Sequence, residues 1–211
     1  MSSNSPNQTV NGEDVKSAYA RWAPIYELIA TPTVPARKIA AKRVNAVGGR
    51  FLEAGVGSGS ALPLYEQNVR LVGVDLSHDM LKIASDRAAK LENVEAVIEM
   101  DLMTLAFPED AFDGVICMFT ITAVPDPRQV LGEFARVTRP GGTVMVASHF
   151  EARSGPWWVT DKLMSPFAKR LGWNPSMEVD GLLDIPGLAL TSQEPLPPMG
   201  LITLLTFRRE E

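Results

Sequence analysis

Cysteine is almost absent from this chain of 211 residues. The single Cys117 can form no internal disulfide and has no second thiol with which to hold a metal. It sits in the apolar run 115–119, where a plain buried strand residue is expected. Long apolar runs are missing too: none approaches the roughly 18 residues that a membrane-spanning helix requires. Residues 1–11 lack the basic start and apolar middle of a signal peptide, so a cytoplasmic protein is the expectation. Positive charge is in deficit, with 20 Lys and Arg against 25 Asp and Glu and a net charge of −5. Such a surface repels nucleic-acid phosphates, which leaves small molecules or lipids as the better-suited partners. Neither an internal repeat nor a low-complexity segment is visible.

What is present is ordinary globular material, 45% hydrophobic and 21% charged. The length suits one domain and is short for two α/β domains. Polar residues over 1–11 read as a disordered leader. Val15, Ala18, Tyr19, Trp22 and Tyr26 then recur at helical spacing, interrupted at Pro24. Pro32 and Pro35 precede a second helix over 36–47 that stops at Gly48 and Gly49. Residues 12–47 thus read as a helical lid, whose aromatic stripe suits a movable cover at a membrane surface.

From Arg50 the pattern changes to short apolar runs alternating with helical stretches. Strands are expected over 50–54, 71–75, 94–100, 112–118 and 143–148, with helices over 62–67, 80–90 and 127–138. Apolar runs at 188–191 and 201–207 suit antiparallel edge strands. The alternation predicts an α/β fold, a mostly parallel sheet with helices on both faces and an antiparallel C-terminal edge. Within the single domain 1–211, residues 50–150 form the expected binding core. Residues 151–211, with a helix over 161–171, supply the substrate side and the edge strands.

The strand ending at Glu53 and Ala54 runs into Gly55-Val56-Gly57-Ser58-Gly59. Glycine there permits a sharp turn and close approach to a ligand, and a following helix would offer unpaired N–H groups. Ser60 stands where a dinucleotide fingerprint has its third glycine, and Glu53 precedes the turn, which argues against a nicotinamide enzyme. Asp75 closes the next strand about 20 residues beyond the turn, the place of an acid that accepts both ribose hydroxyls. Asp101 follows the third strand, positioned for an adenine amino group. Either acid alone suits a helix cap or loop carboxylate equally well; three successive strand ends together point to a ligand.

With these pieces the chain resembles class I methyltransferases dependent on S-adenosylmethionine (SAM), which have a Rossmann-like fold, over about 19–150. The resemblance rests on Glu53 to Gly59, Gly73-Val74-Asp75-Leu76-Ser77 with Met80-Leu81, Asp101-Leu102, Phe107-Pro108 with Phe112-Asp113, and Arg136-Val137 with Pro140-Gly141-Gly142. It implies SAM as cofactor and S-adenosylhomocysteine (SAH) as product. The residues implied around the cofactor are Tyr19, Glu53, Gly55, Gly57, Gly59, Asp75, Leu76, Met80, Asp101, Leu102 and Met118. Within that class, Tyr19-Ala20-Arg21-Trp22-Ala23-Pro24-Ile25-Tyr26, Val124-Pro125-Asp126-Pro127, Ser148-His149-Phe150, Leu171-Gly172-Trp173 and Pro197-Pro198-Met199-Gly200-Leu201 resemble bacterial phospholipid N-methyltransferases. Those convert phosphatidylethanolamine, through its mono- and dimethyl derivatives, to phosphatidylcholine. The first of these segments also resembles the start of quinone-biosynthesis C-methyltransferases. A small-molecule C- or O-methyltransferase is therefore the alternative enzyme, and a SAM- or nucleotide-binding module the non-enzyme alternative.

On the amine reading, Tyr26 and His149 are the candidate catalytic residues, and Tyr26, His149 and Arg153 the candidate substrate ligands. Tyr19 and Tyr26 suit cation–π contact with methylated ammonium or simple helix packing. His149 suits uptake of the amine proton, a grip on lipid phosphate, or satisfaction by a backbone partner. His78 reads as a solvated or capping residue. Arg153, with its fork-shaped guanidinium, suits the lipid phosphate, near Lys162, Lys169, Arg170, Trp157, Trp158 and Trp173. Peripheral association with the inner face of the membrane would draw on Lys16, Arg21, Arg37 and Arg153. Neither a metal nor an obligate protein partner is implied.

Overall fold

The structure, a computed structural model, describes residues 33–151 and 177–211. The expected leader, the aromatic helix with Tyr19 and Tyr26, and the segment with Arg153, Trp157, Trp158, the 161–171 helix and Trp173 lie outside the described residues.

Seven strands form one sheet: β1 (Gly49–Ala54), β2 (Val69–Asp75), β3 (Val94–Glu99), β4 (Phe112–Met118), β5 (Thr138–His149), β6 (Leu188–Leu196) and β7 (Ile202–Arg209). Their order is β3-β2-β1-β4-β5-β7-β6. The first five are mutually parallel, and β7 runs antiparallel between β5 and β6. Alternate residues feed two cores. Phe51, Leu71, Ile116 and Met145 face one side, and Leu52, Val72, Val115 and Val144 the other. The near-continuous apolar strands are what burial on both faces demands.

Three helices cover these faces among the described residues. α1 (Val34–Val47) lays Ala36, Ala40, Ala41 and Val44 on the Phe51 side. It ends at Gly48, whose φ of 68° suits glycine and whose N–H reaches Val44 O at 2.9 Å. α2 (His78–Ala88) is capped by Ser77 and packs beside β3. α3 (Pro127–Val137) lays Val130, Leu131 and Phe134 on the Leu52 side. Asp126 caps it, its carboxylate accepting the N–H groups of Arg128 and Gln129 at 3.0 Å each, with Pro127 in the first turn.

Some expected elements differ. The helix over 62–67 is only a 3-10 turn, Leu62–Leu64, because Pro63 lacks an N–H and Tyr65 returns to extended backbone at ψ 136°. No α-helix N-terminus therefore follows the glycine turn. The 127–138 helix stops at Val137, and β5 begins at Thr138 rather than Thr143. Pro140, Gly141 and Gly142 sit inside the strand at a register shift, where Phe112 pairs with Thr138 and Gly114 with Thr143. Gly141 has a φ of 71°, and a Cβ on Gly142 would collide with Thr138 and with the Asp113 carbonyl. Residues between the expected helix and the expected strand thus make a bulge inside β5.

Candidate active site

β1 lies between β2 and β4, so the chain leaves it where the strand order reverses, the place at which open α/β sheets bind ligands. There Gly55 N and Val56 N both donate to Val74 O, at 2.8 and 2.9 Å. The three glycines of the turn have different tasks. A Cβ on Gly55 would strike Thr120 Oγ1, and one on Gly59 would press on Leu62 and the Ala84 backbone. Gly57, at φ 53°, has nothing within 4 Å of that position and faces open space. Gly55 and Gly59 let the protein pack on itself, and Gly57 opens the turn. Arg87 of α2 steadies it by donating to Ser58 O at 2.9 Å.

Asp75 stands across from the turn. Its Oδ2 accepts Gly57 N at 2.8 Å and its Oδ1 accepts Ser77 N at 2.9 Å. Each oxygen keeps a second lone pair for a ligand hydroxyl. Burial raises the Asp75 pKa, against the pull of the Ser77, Gly57 and Leu76 amides. Met100 N donates to Asp75 O at 2.9 Å, joining the ends of β2 and β3. Next comes Asp101, exposed, its Oδ1 accepting Met103 N at 2.9 Å. Leu102, Met80 and Met118 are buried and Leu76 is half-buried. The expected cofactor residues within the described chain thus sit along the ends of β1 to β4, in the loops just beyond and, for Met80, in the first turn of α2.

Behind the turn lies a cluster that sequence reasoning did not assemble. Glu53 is 1% exposed, and its Oε2 has no hydrogen-bond partner among the described residues. Burial lifts its pKa to about 7; the Arg37 guanidinium and the Tyr65 hydroxyl oppose the rise, and Asp75 adds to it. Burial likewise pushes the Tyr65 phenol well above its ordinary value, and its Oη makes no hydrogen bond of ordinary geometry among the described residues. Arg37 is 8% exposed on α1. Its Nε donates to Thr33 Oγ1 at 3.2 Å, and its guanidinium carbon lies 4.7 Å from the centre of the Phe119 ring. So buried a group is not the surface cation expected to attract anionic lipid. A signal was available: Arg37 falls at helical spacing from the buried Ala41 and Val44.

Further along the sheet, β4 leads into Phe119 and β5 ends at His149. Phe119 directly follows β4 with a φ of 64°, an uncommon conformation for a bulky residue, fixed by its N–H reaching Ala147 O at 2.7 Å. His149 ends β5, and its Nδ1 lies 3.0 Å from Leu201 O. A carbonyl only accepts, so Nδ1 carries the proton and Nε2 is the basic nitrogen of the neutral ring. Glu53, Ile116 and Met145 lie level across β1, β4 and β5, and His149 is four residues further on. Strand spacings put the His149 Cα about 16 Å from that of Glu53. His78 belongs to neither end: it is exposed, with Nδ1 3.0 Å from Glu99 Oε2, and Ser77 is the cap beside it. Cys117 is a buried strand residue whose thiol burial pushes up to about 12.

A Methyltransferase domain is matched over residues 52–146. The phosphatidylethanolamine N-methyltransferase of Cereibacter sphaeroides is 39% identical over 198 residues, covering 92% of this chain and 97% of that protein. The chain belongs to this family of class I SAM-dependent methyltransferases. Another relative of this methyltransferase is the demethylmenaquinone methyltransferase of Renibacterium salmoninarum, 32% identical over 68% of this chain and 62% of that protein. In fold it matches the N-methyltransferase NodS of Bradyrhizobium japonicum, solved with SAH, at a TM-score of 0.73 and 15% identity, covering 94% of this chain and 100% of that one.

The residues present fit the cofactor of the family. Gly57 faces open space beside the half-satisfied Asp75 carboxylate, and the orphaned Glu53 oxygen awaits a donor. Among the described residues no group of three or more His, Cys, Asp or Glu side chains is placed to hold a metal ion.

Proposed function

We propose that this methyltransferase methylates the ethanolamine nitrogen of phosphatidylethanolamine, and of its mono- and dimethyl derivatives, towards phosphatidylcholine. It does so as a peripheral protein on the inner, cytoplasmic face of the membrane. The observation that carries this is the likeness to the Cereibacter sphaeroides enzyme, which extends over 92% of the chain and so takes in the acceptor side as well as the core. The demethylmenaquinone relative is matched over only 62% of its length. No helix among the described residues is long and apolar enough to cross a membrane.

SAM supplies an electrophilic methyl group when bound. Gly55, Gly57 and Gly59 would shape the turn around its methionine part, with Glu53 and Tyr19 as further ligands there, Asp75 would take the ribose, and Asp101 and Leu102 would meet the adenine. Leu76, Met80 and Met118 complete the walls. Transfer to an amine is an in-line displacement, so these residues contribute chiefly alignment. A primary amine with a lysine-like pKa near 10.4 costs about 4 to 5 kcal/mol to present unprotonated at pH 7. An apolar surround lowers that cost, and Nε2 of His149 would take the proton. Tyr26 packs over the methylated ammonium by cation–π attraction, and Arg153 holds the lipid phosphate.

The test is thin-layer chromatography of membrane lipids from cells expressing the protein, with the accumulation of monomethylated, dimethylated and choline lipids expected. His149→Ala should lower turnover of phosphatidylethanolamine vesicles while leaving SAH affinity intact. Unaltered lipids beside an active quinone methylation would overturn the reading.

A further inference from the structure

β6 and β7 are joined by residues 197–201, Pro-Pro-Met-Gly-Leu, which carry no charge. The hairpin turns at the carboxyl end of the parallel strands, because Leu196 and His149 both pair with Ile202. Met199 is 78% exposed at its tip, well above the next large apolar side chain among the described residues, Val47 at 49%. The loop is also poor in polar backbone. Pro197 and Pro198 have no N–H and Leu201 N donates to Pro198 O at 2.9 Å, so at most two of the five residues have an N–H that needs water. Leu201 O in turn lies 3.0 Å from His149 Nδ1. A segment with so few groups to desolvate is cheap to place in an apolar medium. Positive charge lies beside it. α1 contains Arg37, Lys38, Lys42 and Arg43 and no acid, in a chain whose net charge is −5. It starts at the carboxyl end of the strands, with Arg37 against Phe119 just beyond β4, and finishes at the other end, where Asn45 meets Asn68 before β2. Val34, Lys38 and Lys42 are exposed at intervals of four, on one line of the helix. Arg43 pairs with Glu194 at 2.8 Å, which ties α1 to the strand that carries the loop.

We propose that the 197–201 loop is a membrane-contact tip, with Met199 entering the apolar boundary of an anionic phospholipid surface while Lys38 and Lys42 of α1 face its headgroups. The inference rests on the reading that the acceptor is a lipid amine met by His149, and adds to it which described surface meets the bilayer. Met199 is two residues from Leu201, so their Cα atoms are at most about 7 Å apart. The headgroup layer is about 5 to 8 Å deep on each face of a bilayer. A side chain that reaches the acyl boundary from this loop therefore leaves the histidine at headgroup depth, where the amine of the lipid lies. One exposed methionine is too small a patch for a stable protein interface, which needs about 800 Å² from each partner. Entry of one such side chain gives weak, reversible attachment, which suits an enzyme that must move to the next lipid. Lys38 and Lys42 take the place of the buried Arg37 among the groups that attract anionic lipid.

Met199→Cys provides the probe, because Cys117 is the only native cysteine and is buried, its thiol pushed up to about 12. The one exposed thiol, carrying an environment-sensitive dye, should shift its emission to the blue on vesicles of phosphatidylethanolamine and phosphatidylglycerol. A nitroxide at the top of the acyl chains should quench it. Met199→Ser should weaken co-sedimentation with those vesicles about tenfold and Met199→Leu should restore it, with SAH affinity unchanged in both. Lys38→Gln and Lys42→Gln should each cost about fivefold, only on vesicles that contain phosphatidylglycerol and less as salt rises. Turnover of a short-chain phosphatidylethanolamine dissolved as monomers should stay at the wild-type rate in Met199→Ser, which separates docking from a disturbance of His149. A dye that stays in water while the protein sediments, or a Met199→Ser protein that sediments as the wild type does, overturns this proposal alone. A blue shift that grows with protein concentration in the absence of vesicles assigns the tip to a second copy of the chain and overturns it too. A wild type that neither sediments with vesicles nor methylates phosphatidylethanolamine in either form sinks the lipid reading with it.

Discussion

Glu53→Gln should make the ligand-free protein more stable at pH 8, and most of that gain should disappear at pH 5. The carboxyl titrates at about 7 in the folded protein against an ordinary 4.5. Between those values the folded state holds more protons than the unfolded state, so stability falls as pH rises through the window. Each unit of difference is worth about 1.4 kcal/mol, which puts the full penalty of ionising Glu53 in its dry site at about 3 kcal/mol above pH 7. Glutamine keeps the shape and never ionises. Urea unfolding at pH 5 and pH 8, without SAM or SAH, reads the effect directly. The advantage of the variant should grow by about 2 to 3 kcal/mol between the two pH values, or roughly 2 to 4 °C of melting temperature per kcal/mol for a chain of this size. SAH should narrow the gap at pH 8, since it stabilises the wild type preferentially. A stability difference that stays constant with pH would refute the claim that Glu53 is driven to ionise against its surroundings.

Asp75→Ala should remove most of the rise in melting temperature that SAH gives the wild type, because the hydroxyl acceptors are lost together with the link to Gly57; differential scanning fluorimetry with and without SAH measures it. The glycines of the turn should separate by task. Gly55→Ala should destabilise the fold by about 1 to 3 kcal/mol in urea unfolding through its collision with Thr120. Gly57→Ala should cost about 1 to 2 kcal/mol through its left-handed backbone alone, and show its larger effect in SAH affinity measured by calorimetry.

Much of the sheet is legible because its strands are short and apolar and their ends carry the chemistry. Phe51 to Ala54 into the glycine turn, and Val72 to Asp75 after it, announce both the fold and the cofactor side from local pattern. The bulge at Pro140 to Gly142 is not legible, since Pro and Gly are also the residues of turns, and only pairing with β4 shows the strand continuing through them. The 62–67 helix fails for a similar reason: its spacing is helical, but Pro63 confines it to one turn. Arg37 and Tyr65 escape because their importance depends on a neighbour distant in sequence. A buried Glu53 needs counter-groups, and those come from a preceding helix and from a loop beyond the glycines. His149 was named from its strand end, yet its tautomer rests on Leu201, about 50 residues later.

The place of β7 between β5 and β6 has a consequence for how the molecule comes into being on the ribosome. β6 is made first but finds no neighbour until β7, the later strand, has emerged and paired with β5. At a synthesis rate of about 5 to 20 residues per second, β5 presents a bare edge for several seconds after the first five strands can associate. The five parallel strands with the glycine turn can thus assemble while β6 and β7 are still arriving, and the Leu201 carbonyl that orients His149 comes immediately before the last strand to be made. A nascent chain of this enzyme acquires the means to hold a methyl donor before its sheet is complete.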